Sequence, residues 1–152
     1  MRLVLEILLR LRRLYWRILR PTTRGARAIV LDAADNVLLV RHKYGNGWFL
    51  PGGRIRVKES PEIGLRRELS EELGLTGFTM ERLLGTYENN QEGKKDTITV
   101  FVVRAAERPK KQHFEIESTE YFALDALPDS TSPGTKRRIR EYRGLDQQKP
   151  TW

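Results

Sequence analysis

The chain has 152 residues, enough for one domain with a hydrophobic core and too few for two domains of ordinary size. Hydrophobic residues make up 39% and charged residues 32%, which is typical of a globular protein and excludes a disordered one. The absence of cysteine excludes disulfide bonds, thiol nucleophiles and thiolate zinc sites. It fits the reducing cytoplasm, where we expect the protein to reside.

The formal net charge of +8 is concentrated at the N-terminus. Residues 1–27 contain eight arginines and one glutamate, whereas residues 28–152 contain twenty basic and nineteen acidic residues. The body of the chain is therefore nearly neutral, which argues against a nucleic-acid-binding surface over the whole domain. We assign the basicity to an N-terminal arm.

The sequence of this arm, residues 1–21, predicts an amphipathic helix that Pro21 ends. Its charged residues form one narrow stripe at helical spacing, with Arg12 as the exception: Arg2, Glu6, Arg10, Arg13, Arg17 and Arg20. The wide apolar face has to be covered by the chain's own domain, by a second copy in a homodimer, or by an anionic membrane as in peripheral association. A cleaved targeting segment is a further alternative, and RNA is another partner that the arginines could hold. The apolar run is too interrupted for a membrane span.

The body of the chain predicts interleaved strands and helices. Residues 25–42 predict two strands joined by a turn at 32–36, and residues 44–53 predict a loop that carries a short apolar strand. Further strands are predicted at 77–87, 96–105 and 117–124, and a last helix at 132–144. The absence of a repeating unit favours an α+β fold with a mixed sheet.

A helix is predicted over Pro61–Leu73, with Ser60 as its N-cap and Gly74 as its end. Leu65, Leu69 and Leu73 form its apolar stripe, while Gly64 and three glutamates, Glu68, Glu71 and Glu72, occupy a different arc. Acidic groups are unfavourable near a helix C-terminus, and Glu68 and Glu72 repel each other by roughly 0.2–0.5 kcal/mol. The cluster predicts a site for a hard cation such as Mg²⁺, the alternative being a solvated acidic face. Gly64 predicts that some group approaches the helix backbone closely.

The spacing from Gly53 to Leu75 resembles the Nudix box, the signature of the Nudix hydrolase family. Every fixed position is filled: Gly53, Glu59, Arg67, Glu68, Leu69, Glu71, Glu72, Gly74 and Leu75. The wider resemblance covers roughly residues 24–145. It implies a Nudix-type α/β/α sandwich with a mixed sheet over residues 22–147, with the amphipathic helix of residues 1–21 as an addition and residues 148–152 as a short tail.

The resemblance also implies an activity, the hydrolysis of a nucleoside diphosphate linked to another moiety, assisted by Mg²⁺ or Mn²⁺. By position, Glu68, Glu71, Glu72 and the carbonyl of Gly53 would be metal ligands. Glu59 would hold Arg67, which would orient the glutamates. RNA 5′-pyrophosphate removal is a subcase, and a non-catalytic nucleotide-binding or sensing module is the alternative from another class.

Family members often use a further acid from a later loop, for which Glu115, six residues before Tyr121, is the first candidate here. Glu117, Glu120 and Glu88 are alternatives, and the general base is either Glu68 or Glu115. Candidate substrate contacts are Arg41, Tyr44 and Trp48, with Phe49, His42 and Lys43 beside them. Each has a plainer interpretation, as a core aromatic or a solvated strand end. The sequence does not identify the substrate.

Overall fold

The computed structural model describes residues 22–90, 94–110 and 113–152. The N-terminal arm lies outside these residues, so its helix and the surface that it covers stay predictions. Among the described residues, no helix has the length and apolar character needed to cross a membrane.

Six strands form one mixed sheet. They are β1 Thr22–Leu31, β2 Val37–His42, β3 Gly52–Arg54, β4 Phe78–Asn89, β5 Lys95–Ala105 and β6 Ile116–Phe122. The order is β4-β5-β1-β2-β6, and β3 pairs with β1 off this path. The long central pair of β1 and β5 is parallel, while the other pairs are antiparallel. The predicted mixed sheet is confirmed.

One helix packs on each face of the sheet. Helix α1, Pro61–Leu73, contributes Leu65, Leu69 and Leu73 to a core that includes Ala28 and Val30 of β1. Helix α2, Pro133–Tyr142, contributes Ile139 to a second core with Ile29 and Leu31. Alternate residues of β1 therefore face opposite helices, as the period-2 geometry of a strand requires. This is the expected α/β/α sandwich.

The ends of α1 are fixed by the residues that the sequence indicated. Ser60 accepts a hydrogen bond from the Ile63 amide at 3.3 Å, and Pro61 occupies the first turn. Gly74 has a left-handed φ of 62° and its N–H reaches the carbonyls of Leu69 and Ser70. The last turn of α1 is therefore held in a defined position, and it carries Glu71 and Glu72.

Strand β3 is the main difference from the predicted elements, which placed Gly52 and Gly53 in a loop. Both glycines pair with β1 in the register Ala26↔Gly53 and Arg27↔Gly52. Gly52 has φ +135°, and a Cβ there would lie 2.1 Å from the Ala26 carbonyl oxygen. Only glycine permits this approach, which depends on a partner strand distant in sequence.

The charge count over residues 1–27 included Arg24 and Arg27, which lie beyond the predicted arm of residues 1–21, and Arg27 falls within the strand predicted in residues 25–42. Both residues lie in β1, in the interior of the sheet. The charge count grouped them with the arm because they follow it directly in sequence, whereas strand pairing places them beside β3.

We expect Gly52→Ala to lower the free energy of unfolding by about 3 kcal/mol, because it adds a backbone clash to a φ that alanine rarely adopts. Gly45→Ala is the matched control, since its Cβ would meet only the His42 Cβ at 3.8 Å. Urea denaturation of both variants measures the difference. Equal stability of the two would contradict the close approach of β3 to β1.

Candidate active site

Arg67 connects the acidic residues of α1 to the preceding loop. Its Nε and Nη2 bind the two carboxylate oxygens of Glu59 at 2.7 and 2.9 Å. Its Nη1 donates to Glu68 at 2.7 Å and to Glu71 at 3.1 Å, and its Nη2 also donates to the Arg54 carbonyl at 2.9 Å. One guanidinium thus contacts three carboxylates and the end of β3, a geometry that a planar fork of donors permits.

This contact changes the protonation of both partners. The hydrogen bonds from Arg67 lower the pKa of Glu59 to about 2, and the backbone amide of Arg56 adds to the effect. The Glu59 carboxylate in turn raises the pKa of Arg67. The pair therefore remains charged over the whole physiological range of pH.

Gly53 leaves room for Glu68 beside β3. A Cβ at this position would lie 2.3 Å from the Glu68 Oε2, closer than any real contact. The carboxylate of Glu68 therefore packs directly against the strand backbone. The missing side chain at Gly53 brings α1 and β3 together at the acidic cluster.

The interpretation of Gly64 needs a correction. It was grouped with the acidic arc, but Gly64 is buried on the core side of α1. A Cβ there would meet Ile55 at 3.1 Å and Glu59 Oε2 at 3.3 Å. The group that approaches the helix backbone is thus the loop before α1, which brings Glu59 within reach of Arg67.

Glu72 differs from the other two glutamates because Arg67 does not bind it. Its Oε2 is buried and has no hydrogen-bond partner. Burial, followed by the charge of Glu68, raises the pKa of Glu72 to about 7, while Arg27 opposes the rise. An orphaned carboxylate oxygen of this kind is unfavourable unless a cation or a proton neutralises it.

The loop before β6 meets the end of α1 at the same place. The His113 amide donates to the Glu72 carbonyl at 2.9 Å, and the Lys43 amide donates to the Glu115 carbonyl at 2.9 Å. The charge of Glu115 contributes to the raised pKa of Glu72. The Glu115 carboxylate is 58% exposed, so it lies at the solvent side of the cluster.

The alternative acids have other surroundings. Glu117 pairs with Arg41 at 2.9 Å, and Glu120 is exposed on β6 opposite Leu39. Glu88 lies at the end of β4 and pairs with Thr97 of β5. Glu115 is the one for which the structure gives an electrostatic link to Glu72.

The three candidate substrate contacts do not form one group. Trp48 is buried in the core facing α2, edge-on to Phe122 at 5.0 Å, which leaves little of its ring for stacking on a base. Arg41 lies over the Trp48 ring at 5.2 Å and pairs with Glu117. Tyr44 is 92% exposed in the loop after β2.

Arg27 lies beside the acidic cluster, although it was not among the site residues predicted from the sequence. It lies in β1 opposite Gly52, and its Nη1 donates to the Gly52 carbonyl oxygen. Burial lowers the pKa of Arg27, whereas Glu72 and Glu68 raise it, so its charge interacts with the acidic cluster. A single arginine between Ala26 and Ala28 in an apolar strand was the available signal.

Arg27 also lines an open cleft of about 290 Å³ at the start of β1. The polar and charged side chains of the cleft come from β1, β3, β4 and β5: Thr23, Arg24, Arg27, Arg54, Asn89 and Asp96. Three arginines face one acid, and Asp96 accepts a hydrogen bond from Thr23. The cleft is therefore suited to an anionic ligand, and Gly53 connects it to the acidic cluster.

The donor set fits a hard divalent cation. Carboxylates are the ligands that Mg²⁺ and Mn²⁺ prefer, and the buried oxygen of Glu72 has no other partner. In the conformation observed, no three acidic or histidine side chains within the described ranges converge closely enough to hold one ion. In this conformation Arg67 binds one oxygen each of Glu68 and Glu71.

Comparison with known proteins agrees with this geometry. The model of the NUDIX domain matches residues 21–142, which is most of the chain. The chain belongs to the Nudix hydrolase family.

Relatives and solved structures extend this result. The mouse diphosphoinositol polyphosphate phosphohydrolase 3-alpha is 42% identical over 107 residues, which cover 70% of this chain and 55% of that protein. The chain thus spans about half the length of the curated relatives that it matches first. A UDP-X diphosphatase structure has a TM-score of 0.68 at 26% identity, covering 84% of this chain and 66% of its own. The MutT Nudix hydrolase of Burkholderia pseudomallei has a TM-score of 0.67 at 26% identity, covering 80% and 98%.

The Nudix box of this chain is thus a strand, a loop and a helix with defined contacts. β3 supplies Gly53, the loop supplies Glu59, and α1 supplies Arg67 and the three glutamates. Three acidic residues of the box accept hydrogen bonds directly from Arg67: Glu59, Glu68 and Glu71. Glu72 does not, and its buried Oε2 has no hydrogen-bond partner.

The raised pKa of Glu72 has a consequence for stability in the presence of a chelator. The folded state holds this proton up to about pH 7, whereas an unfolded glutamate releases it near pH 4.5. Wild type therefore loses this part of its stability as the pH rises from about 4.5 to 7. Glu72→Gln has no carboxyl group to titrate at this position, so it does not lose this part of the free energy of unfolding. The stability of the variant relative to wild type should therefore increase between pH 5 and pH 8.

Denaturant titrations in EDTA at the two pH values measure this difference. Glu120→Gln, an exposed glutamate on β6, is the control and should show no such change. A Glu72→Gln variant whose relative stability is the same at both pH values would contradict the buried, uncompensated carboxylate.

Proposed function

We propose that the protein is a metal-dependent pyrophosphohydrolase that cleaves the diphosphate linkage of a nucleoside diphosphate joined to another moiety. The observation that supports this most is the buried, unpartnered oxygen of Glu72 beside Glu68 and Glu71, next to a cleft lined by arginines. A cation neutralises the acids, and the cleft accepts the anionic substrate. Family membership supports the same reaction class.

Glu72, Glu71, Glu68 and the carbonyl of Gly53 would hold Mg²⁺ or Mn²⁺. When bound, the ion would neutralise charge on the diphosphate and lower the pKa of a bound water. Arg67 keeps Glu68 and Glu71 oriented toward β3 through its contacts with Glu59 and the Arg54 carbonyl. Arg67 and Glu59 thus position the ligands and do not themselves contact the reacting atoms.

Two residues remain candidates for the base that takes a proton from the attacking water. Glu68 packs against Gly53, beside the cleft, but one of its oxygens binds Arg67. Glu115 is exposed at the solvent side, and its carboxylate is 4.0 Å from the His113 Nδ1. A base has to reach the water in the substrate complex, and both residues lie beside the ligand set.

The substrate is proposed at the level of chemistry. The names of the relatives describe enzymes of a diphosphoinositol polyphosphate and of UDP-X, which share a diphosphate and differ in the group attached to it. Arg24, Arg27 and Arg54 favour a ligand with several phosphates. A diphosphoinositol polyphosphate is therefore the second candidate substrate, since it carries phosphates without a base.

Other proposals concern the N-terminal arm. RNA 5′-pyrophosphate removal, attachment to an anionic membrane and homodimer formation each depend on residues 1–21 and remain open alternatives. Cytoplasmic residence is likewise a proposal. A non-catalytic binding module would use the same cleft without turnover, so a test of turnover over a panel of substrates distinguishes it from the hydrolase.

We expect Glu72→Gln to reduce kcat by at least about 10²-fold while the protein remains folded, because the variant removes a charged ligand of the ion. Wild type and variant are compared with Mg²⁺ and with EDTA on ADP-ribose, UDP-sugars, nucleoside triphosphates, a diphosphoinositol polyphosphate and 5′-triphosphorylated RNA. Released phosphate or monophosphate is measured. Mg²⁺ should also raise the melting temperature of wild type and not of the variant.

Turnover by Glu72→Gln at the wild-type rate would contradict the assignment of this residue. Binding without turnover by folded wild type, over the whole panel, would favour the binding module.

Arg27→Met tests the cleft. We expect KM for the preferred substrate to rise about tenfold, because a hydrogen bond from a charged group to a phosphate is lost. Arg140→Met is the matched control, since Arg140 of α2 pairs with Asp146, which follows the helix, and does not line the cleft. An unchanged KM in the folded Arg27→Met variant would remove Arg27 from the substrate contacts.

A further inference from the structure

The last residues of the chain add to the edge of the sheet. We define the C-terminal segment as residues 148–152. The Glu88 amide donates to the Pro150 carbonyl at 2.7 Å, and the Trp152 amide donates to the Glu88 carbonyl at 2.9 Å. These bonds form a parallel bridge between Thr151 and Glu88. Because β4 is the edge strand of the sheet formed by the described residues, the segment pairs with its outer side.

A buried ion pair anchors the segment. Arg138 and Glu141 of α2 are 2.9 Å apart, and their side chains are 0% and 4% exposed. Arg138 donates to the Thr151 carbonyl at 3.0 Å, and Glu141 accepts from the Lys149 amide at 3.2 Å. Buried charges need hydrogen-bond partners, and the backbone of the segment provides two of them, while the buried Arg138 Nε has none.

The side chain of Trp152 also holds the segment against α2 and β4. Its indole lies directly over Gly134, where a Cβ would be 2.4 Å from the indole nitrogen. The ring is edge-on to Tyr87 at 6.2 Å, and the Arg138 guanidinium is 5.6 Å from its centroid. Tyr87 completes the cluster by donating to Glu141 at 2.9 Å.

The position held by this segment adjoins the proposed substrate cleft. Glu88, which the segment binds on both its amide and carbonyl, directly precedes Asn89. Asn89 lines the cleft and pairs with Asp96 of β5, which also lines it. The end of β4 is thus a wall of the cleft, and its outer side is held by the segment.

We propose that the C-terminal segment is a positioning element for the substrate cleft, acting through Glu88 and Asn89, with Trp152 as its anchor. No residue of the segment lines the cleft, so its effect is indirect. The kinetic part of this proposal rests on the proposed hydrolase function, whereas the structural part does not.

The test compares Trp152→Ala with wild type by amide hydrogen exchange and by steady-state kinetics. We expect faster exchange at Glu88, Asn89 and Asp96, and a KM about tenfold higher with kcat within about twofold, because the cleft wall is displaced while the acidic cluster is unchanged. Trp152→Phe, which keeps a ring over Gly134, should restore most of the wild-type KM.

Arg104→Ala is the control for a general loss of stability. Arg104 binds Glu81 and Asp35, and neither it nor these partners line the cleft or belong to the segment. This variant should lower the melting temperature without raising KM.

Two results would overturn the proposal. Unchanged exchange at Asn89 and Asp96 in Trp152→Ala would show that the segment does not hold the cleft wall, whether or not the protein has turnover. Faster exchange with an unchanged KM would show that the wall does not affect substrate binding. Absence of wild-type turnover would count against the hydrolase function alone, and the exchange result would still decide the positioning of the wall.

Discussion

The site depends on the contact between Arg67 and the acids around it. Three glutamates near the C-terminus of a short helix repel one another and the helix dipole. Arg67 offsets part of this repulsion by binding Glu68 and Glu71, and Glu59 holds the guanidinium from the other side. The same group reaches the Arg54 carbonyl, so β3, the loop and α1 are held together at one point.

Arg67 binds two of the three glutamates and leaves Glu72 without a hydrogen bond from it. Glu68 and Glu71 each bind Arg67 through one carboxylate oxygen, which leaves the second oxygen of each outside this contact. Glu72 lacks this contact, and its buried Oε2 is the strongest unmet requirement for positive charge in the cluster. A native structure that keeps this buried, unpaired oxygen is consistent with a trade-off between stability and function.

Features set by neighbouring residues could be predicted from the sequence, whereas features set by contacts between distant segments could not. The helix Pro61–Leu73 could be predicted from Ser60, Pro61 and Gly74, because caps act within a few residues. β3 could not, since its strand character comes from pairing with β1 about 27 residues earlier in the chain. Arg27 was missed for the same reason: its neighbours in sequence are apolar, and its neighbours in space are Gly52 and the acidic helix.

In the proposed function, the arginines of the cleft and the acids of α1 would make complementary contributions to binding one ligand. The diphosphate of the proposed substrate carries two negative charges, and further charge develops as its linkage is cleaved, which cations on both sides would stabilise. Arg24 already donates to the carbonyls of Arg56 and Glu59, which holds its charge at the cleft without an acidic partner. Arg27 likewise donates to the Gly52 carbonyl. These hydrogen bonds to backbone carbonyls orient Arg24 and Arg27 in the cleft, and Arg27 also interacts electrostatically with Glu72 and Glu68. The two arginines would thereby connect the phosphate-binding side of the proposed site to its acidic side.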